Sequence, residues 1–170
     1  MKTKLVYFLL LLGLCVACHD DVDSDYKGEW VVFGGRQISA KVEDTAGNDM
    51  LDSKHPNVID AAKIKLFALT DSGKVQYGGD GSDFSFSVGE IRRDKTYGRA
   101  YVELVLGVHM KDGKSKDIIQ WNETLADTVV CEINESERRI LKVYLNGVLQ
   151  YDSENPKDNY TSNKWVTFIH

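Results

Sequence analysis

The body of this chain has no partner for a disulfide. Of its three cysteines, Cys15 and Cys18 lie in or at the end of the N-terminal apolar run, which leaves Cys131 alone in the folded region. Cys131 sits in the strand-like run 128–133, where a buried, inert thiol is expected. Positive charge is also scarce: 21 Lys and Arg face 26 Asp and Glu, for a formal net of −5, and no Lys/Arg cluster occurs. Nucleic acid is therefore not expected as a partner, because neutralising phosphates requires clustered cations. The long apolar run, 5–17, is shorter than the roughly 20 residues a membrane-spanning helix needs. The spaced motifs of zinc hydrolases, serine hydrolases and phosphate-binding loops are missing as well. Four histidines, His19, His55, His109 and His170, stand isolated, and scattered surface positions are expected for them. The expectation is a protein that is not an enzyme, although a carboxylate pair for glycoside hydrolysis could be drawn from distant strands without leaving a sequence motif.

The N-terminus carries more information. Lys2 and Lys4 precede the apolar run Leu5 to Ala17, and Val16-Ala17 places small residues directly before Cys18. This reads as a signal peptide, residues 1–17. The stretch resembles a bacterial lipoprotein precursor, which implies that Cys18 becomes the lipid-modified first residue and anchors the protein to a bilayer. The position three before it, usually Leu, is Cys15; a plain secreted protein cut nearby is the competing reading. His19 to Asp25 then holds four carboxylates in seven residues, too polar and self-repelling to bury a core. Residues 18–28 are therefore expected to form a solvated acidic tether. Lipoproteins on the outer face of the outer membrane in Bacteroidota resemble this arrangement, which implies an outer-membrane location facing the cell exterior. Loss of Lys2 and Lys4 with the signal peptide moves the formal charge from −5 to about −7.

Residues 29–170 are expected to form a single domain. Apolar residues alternate with polar ones in short runs: Trp30 to Phe33, Gln37 to Glu43, Lys63 to Leu69, Lys74 to Tyr77, and Phe84 to Val88. The series continues with Arg99 to Met110, Ser115 to Trp121, Asp127 to Ile133, Arg139 to Leu145, Val148 to Tyr151 and Trp165 to Ile169. A period of two marks half-buried strands. Turn residues punctuate them, including Asp71-Ser72-Gly73, Asp112-Gly113 and Asn146-Gly147. A two-residue turn at Asp112-Gly113 predicts a hairpin pairing Leu106 with Ile119 and Leu104 with Trp121, with Trp121 in the core. Residues 50–62, around Pro56, read as irregular. The pattern predicts an all-β fold, an antiparallel β-sandwich of immunoglobulin-like type, with a small β-barrel as the alternative.

The stretches Val42 to Leu51, Lys63 to Leu66 and Tyr144 to Tyr151 resemble the small β-sandwich lipoproteins that Bacteroidota encode in large numbers. The resemblance implies an architecture and an envelope setting and brings no catalytic residues. Asp44-Thr45-Ala46 and Asp127-Thr128-Val129 also resemble the O-glycosylation acceptor pattern of those bacteria, making Thr45 and Thr128 candidates. Calcium is the only cofactor the composition suggests, from Asp44, Asn48, Asp49 and Asp52 in one loop and Asp80 and Asp83 in another, since calcium takes six to eight oxygen ligands. Neither loop has regular EF-hand spacing, and solvated turn residues are the preferred reading. Two functions fit. One is a glycan-capture or nutrient-uptake accessory module using aromatics, with Trp30, Trp165, Tyr97 and Tyr160 as the candidate ligand residues and core packing as the competing role for the tryptophans. The other is a structural or protein-interaction subunit of an envelope complex.

Overall fold

Alternation of buried and open positions along each short run resolves into two sheets. The computed structural model describes residues 35–79, 81, 88–95, 98–155 and 164–170, which belong to one compact unit, Val32–His170. The strands are β1 (Gln37–Glu43), β2 (Lys65–Thr70), β3 (Gly73–Gly78), β4 (Val88–Arg93), β5 (Ala100–Val105), β6 (Lys114–Gln120), β7 (Ala126–Asn134), β8 (Arg139–Leu145), β9 (Val148–Asp152) and β10 (Trp165–Ile169). Sheet A has the order β10-β1-β5-β4 and sheet B the order β3-β2-β6-β7-β8-β9. Neither sheet closes into a barrel, and the arrangement is that of a sandwich.

The two inner faces share one core. Ile38, Ala40 and Val42 of β1 and Val102 and Leu104 of β5 face Leu66, Ile119, Val129 and Cys131 from sheet B, all at 1% exposure or less. Trp121, immediately after β6, is fully buried, and its ring meets Phe168 of β10 edge-on at 4.8 Å. The irregular stretch 50–62 closes one end. Met50 N–H donates to Val42 O and Ile59 N–H to Met50 O, so Met50, Leu51 and Ile59 turn inward. Ala61–Lys63 within this stretch forms a single 3-10 turn, capped by Asp60.

Three turns form as their residues require. Asp71-Ser72 closes β2 onto β3, with Thr70 opposite Gly73. Asn146 and Gly147 both take positive φ, 49° and 85°, and join Leu145 to Val148. Asp112 and Gly113 do the same at 52° and 72°, with reciprocal hydrogen bonds between Lys111 and Lys114.

That last turn does not make the expected hairpin. β5 pairs with β1 and β4, whereas β6 pairs with β2 and β7. The chain leaves sheet A after Val105, turns at Gly107 (φ 72°) and crosses to sheet B, so the Lys111–Lys114 pair is a single bridge. Alternation correctly predicts that Leu104, Leu106, Ile119 and Trp121 are buried, but it cannot tell a partner beside a residue from one across the core. A second departure is that β10 lies parallel to β1, pairing Ser39 with Trp165 through Glu43 with Ile169; the sheets are not wholly antiparallel. β4, rich in Glu and Arg, was not predicted beyond Val88. The runs 30–33 and 84–87 lie outside the described residues.

Candidate functional site

The alternation that sends Val166 and Phe168 into the core turns Trp165, Thr167 and Ile169 outward. Trp165 is half-buried on the outer face of sheet A, not a core residue, and its ring meets that of Tyr101 on β5 edge-on at 5.0 Å. β10 and β5 flank β1, so their axes are separated by about 10 Å. Rings whose centres lie only 5.0 Å apart must meet over β1. Ser39, opposite Trp165 and outward-facing, is accordingly only 3% exposed. Lys41 Nζ sits 4.3 Å from the centre of the Trp165 ring, a cation–π contact. Arg92 pairs with Glu103 at 2.9 Å, and Arg99 pairs with Glu43. The result is a pair of outward aromatic rings set nearly perpendicular, at 76°, with the Lys41 ammonium over Trp165 and two ion pairs at the border.

Sequence reasoning picked out Trp165 but missed Tyr101 and Lys41. The signal was available in the parity of two strands, since Tyr101 and Glu103 face away from the inward Ala100, Val102 and Leu104. Trp30, Tyr97, Tyr160 and Cys18 lie outside the described residues. Thr45 is exposed in the turn after β1, while Thr128 lies partly buried in β7, its N–H donating to Asn146 Oδ1 at 3.2 Å.

Two of the histidines, expected to be scattered, meet at one cleft of about 450 Å³ where β1, β6 and β10 end. His55 Nδ1 accepts the Asn57 N–H at 3.1 Å, which puts the ring proton on Nε2, 3.3 Å from Asp44 Oδ2. Both ring nitrogens are thus engaged, and His55 acts as a loop clip. His170 Nε2 approaches Asp127 Oδ2 at 3.0 Å, off line for a hydrogen bond. Asp127 is already occupied: Oδ2 accepts the Trp121 indole N–H at 2.7 Å and Oδ1 the Asn146 amide at 3.0 Å. His109 packs elsewhere, 6.2 Å from Tyr77.

The acidic loop spends its oxygens on its own backbone. Asp44 Oδ1 accepts from Ala46 and Asn48 N–H, and the hydrogen bonds from Asn48, followed by those from His55 and Ala46, hold its carboxyl down at about 2. Asp49 accepts from Leu51 and Ala100, and Asp52 from Lys54, with Arg93 at 3.1 Å. Among the described residues no group of three or more His, Cys, Asp or Glu is arranged to hold a metal ion; Asp80 and Asp83 lie outside them. Melting temperatures in excess calcium and in chelator are expected to coincide, because a ligand bound only by the native state must raise stability. A calcium-dependent rise would show that the loop rearranges into a site.

A buried polar cluster that the sequence reading missed lies inside the sandwich. Asp117 of β6, fully buried, accepts the Tyr77 hydroxyl at 2.9 Å on Oδ1, and the Ser115 hydroxyl at 2.7 Å and Gly107 N–H at 3.2 Å on Oδ2. Burial pushes its carboxyl up to about 6 against the pull of these hydrogen bonds. Burial, and next the nearby Asp117, push the Cys131 thiol far above its ordinary value, as expected of an inert cysteine. The only visible signal was an Asp at an inward position between Ser115 and Ile119. Compared with known protein families, curated proteins and solved structures, the chain matches none.

Proposed function

We propose that this is a non-catalytic lipoprotein of the cell envelope, anchored through acylated Cys18 to the outer membrane and facing the cell exterior, whose sheet A surface captures glycan. The Trp165–Tyr101 pair carries this reading: two aromatic rings meet edge-on on an outward face, with a lysine over one of them and two ion pairs nearby. A sugar ring offers an apolar face to stack on such a surface and hydroxyls for the charged border. The signal-like run 1–17, Cys18 and the acidic tether support the membrane setting. Two sheets packed over one core support an immunoglobulin-like relationship.

A specific feature favours protein interaction as the second reading. Val148 and Leu149 on the edge strand β9 and Ile169 on the edge strand β10 are exposed, and unpaired strand edges invite another chain. Affinity electrophoresis of the soluble form beginning at His19 against a panel of soluble polysaccharides separates the two. Capture predicts retardation by a glycan, weakened about tenfold or more by Trp165→Ala, corresponding to about 1.4 kcal/mol, with the variant still folded at the assay temperature. Retardation that Trp165→Ala leaves intact would move the site off sheet A, and none across a broad panel would favour the interaction subunit.

A further inference from the structure

The outer face of sheet B holds a cleft of about 730 Å³, bounded by the turn after β2, the crossing segment after Gly107 and the start of β6. Its floor follows from register. Lys74 pairs with Leu69, Lys116 with Val130 and Val130 with Tyr144, while Leu69 and Lys116 are the next partners along the β2–β6 ladder after Ala68 and Asp117. Leu69 and Val130 therefore flank Lys116 on one outward row, and Val108 and Met110 of the crossing segment add apolar wall. The volume lies within the range typical of small-molecule sites.

The charge lining the cleft is mostly positive, three lysines against Asp71. Lys111, Lys114 and Lys116 all line it, in a chain of net charge −5. Lys111 pairs with Asp71 at 2.7 Å and Lys114 with Glu132 at 3.4 Å, both with open ammonium groups. Exposed pairs of this kind contribute little, so either lysine can exchange its partner for a ligand oxygen at small cost. Lys116 is exposed and forms no ion pair among the described residues. We propose that this cleft is a binding site, separate from the sheet A surface, for an organic anion: a carboxylate held by Lys116 and its two neighbouring lysines, with an apolar body resting on Leu69, Val130 and Met110.

The test is calorimetric titration of the full chain with 2-naphthoate, alongside 2-naphthol, which has the same ring body without the anionic head. Lys116→Glu reverses the central charge, and Lys63→Glu reverses one elsewhere. Naphthoate is expected to bind saturably, about tenfold tighter than naphthol, and to weaken several-fold as salt rises by roughly an order of magnitude, because partly exposed charges are screened. Lys116→Glu is expected to weaken it about tenfold or more and Lys63→Glu to leave it unchanged, both with wild-type melting temperatures. Absence of saturable binding, equal binding of naphthol, or indifference to Lys116→Glu would overturn the proposal. Glycan retardation is read separately, so the two sites stand or fall independently.

Discussion

Asp117→Ala is expected to destabilise the protein by about 3 kcal/mol at pH 5, because it strands buried donors that cost roughly 1–3 kcal/mol each. Ser115 Oγ and Gly107 N–H lose their acceptor, whereas Tyr77 retains only a long contact of 3.4 Å to Val105 O. Asp117→Asn should behave differently. Its oxygen can serve Ser115 and Gly107, and its amide can donate to Tyr77, which then turns its own proton to Val105. The pH dependence follows from the raised carboxyl of Asp117, about 6 against an ordinary 3.8. A folded value above the unfolded one means that the folded protein holds the proton more tightly. The associated stability is complete below 3.8 and lost as pH rises through about 6, about 3 kcal/mol in all. Asp44 acts in the opposite sense, since its folded value of about 2 gives stability present above 3.8 and lost as pH falls through 2. Denaturant unfolding of wild type and Asp117→Asn between about pH 4.5 and 7.5 isolates the Asp117 contribution. Wild type should lose stability relative to the variant as pH rises, and parallel profiles would show that Asp117 does not titrate in this window.

How much of this fold a reader could take from the sequence depends on whether the deciding interaction was local. β1 and β10 were bounded correctly because each alternates cleanly and ends at polar or turn residues. The Asp112-Gly113 and Asn146-Gly147 turns formed because their positive φ values are a property of those residues themselves. The false hairpin arose where a local signal was asked to fix a distant pairing. Nothing in Arg99 to Met110 marks a break except Gly107, whose positive φ starts the crossing and whose added Cβ would fall 2.3 Å from Ile133 Cδ1. β4 was missed for a related reason: it is an edge strand, and Glu90, Arg92 and Arg93 suit a solvated edge while hiding the period of two.

The candidate sites were less legible than the fold. Trp165 could be singled out by residue type, yet its value as a surface depends on Tyr101, a strand two places away in the sheet and 64 residues earlier. The anion cleft joins the β2 turn, the crossing segment and β6, and its three lysines read as ordinary turn and strand-surface residues until Val130 and Leu69 are placed beside them. Asp117 shows the reverse problem. An acidic residue within an alternating strand reads as outward, and only the inward Ser115 and the crossing backbone at Gly107 make its burial tolerable.

Trp121→Ala should be the most damaging single change, costing about 3–5 kcal/mol from lost burial and the cavity left behind. Two interactions meet at this residue, and paired substitutions separate them. Its ring packs against Phe168 and so ties sheet B to sheet A, while its indole N–H satisfies Asp127, which also holds the Asn146 amide at the β8–β9 turn. Trp121→Phe keeps an aromatic ring between the sheets but removes the donor, leaving Asp127 Oδ2 facing His170 without an aligned proton. A cost of about 1–2 kcal/mol is expected from that loss together with the smaller ring. Chemical denaturation at neutral pH measures both. If Trp121→Phe proves as costly as Trp121→Ala, the buried carboxylate, and not the ring, is what makes Trp121 indispensable. If Asp127→Asn then restores stability to the Phe variant, the cost belongs to the stranded charge; failure to restore it assigns the cost to packing against Phe168.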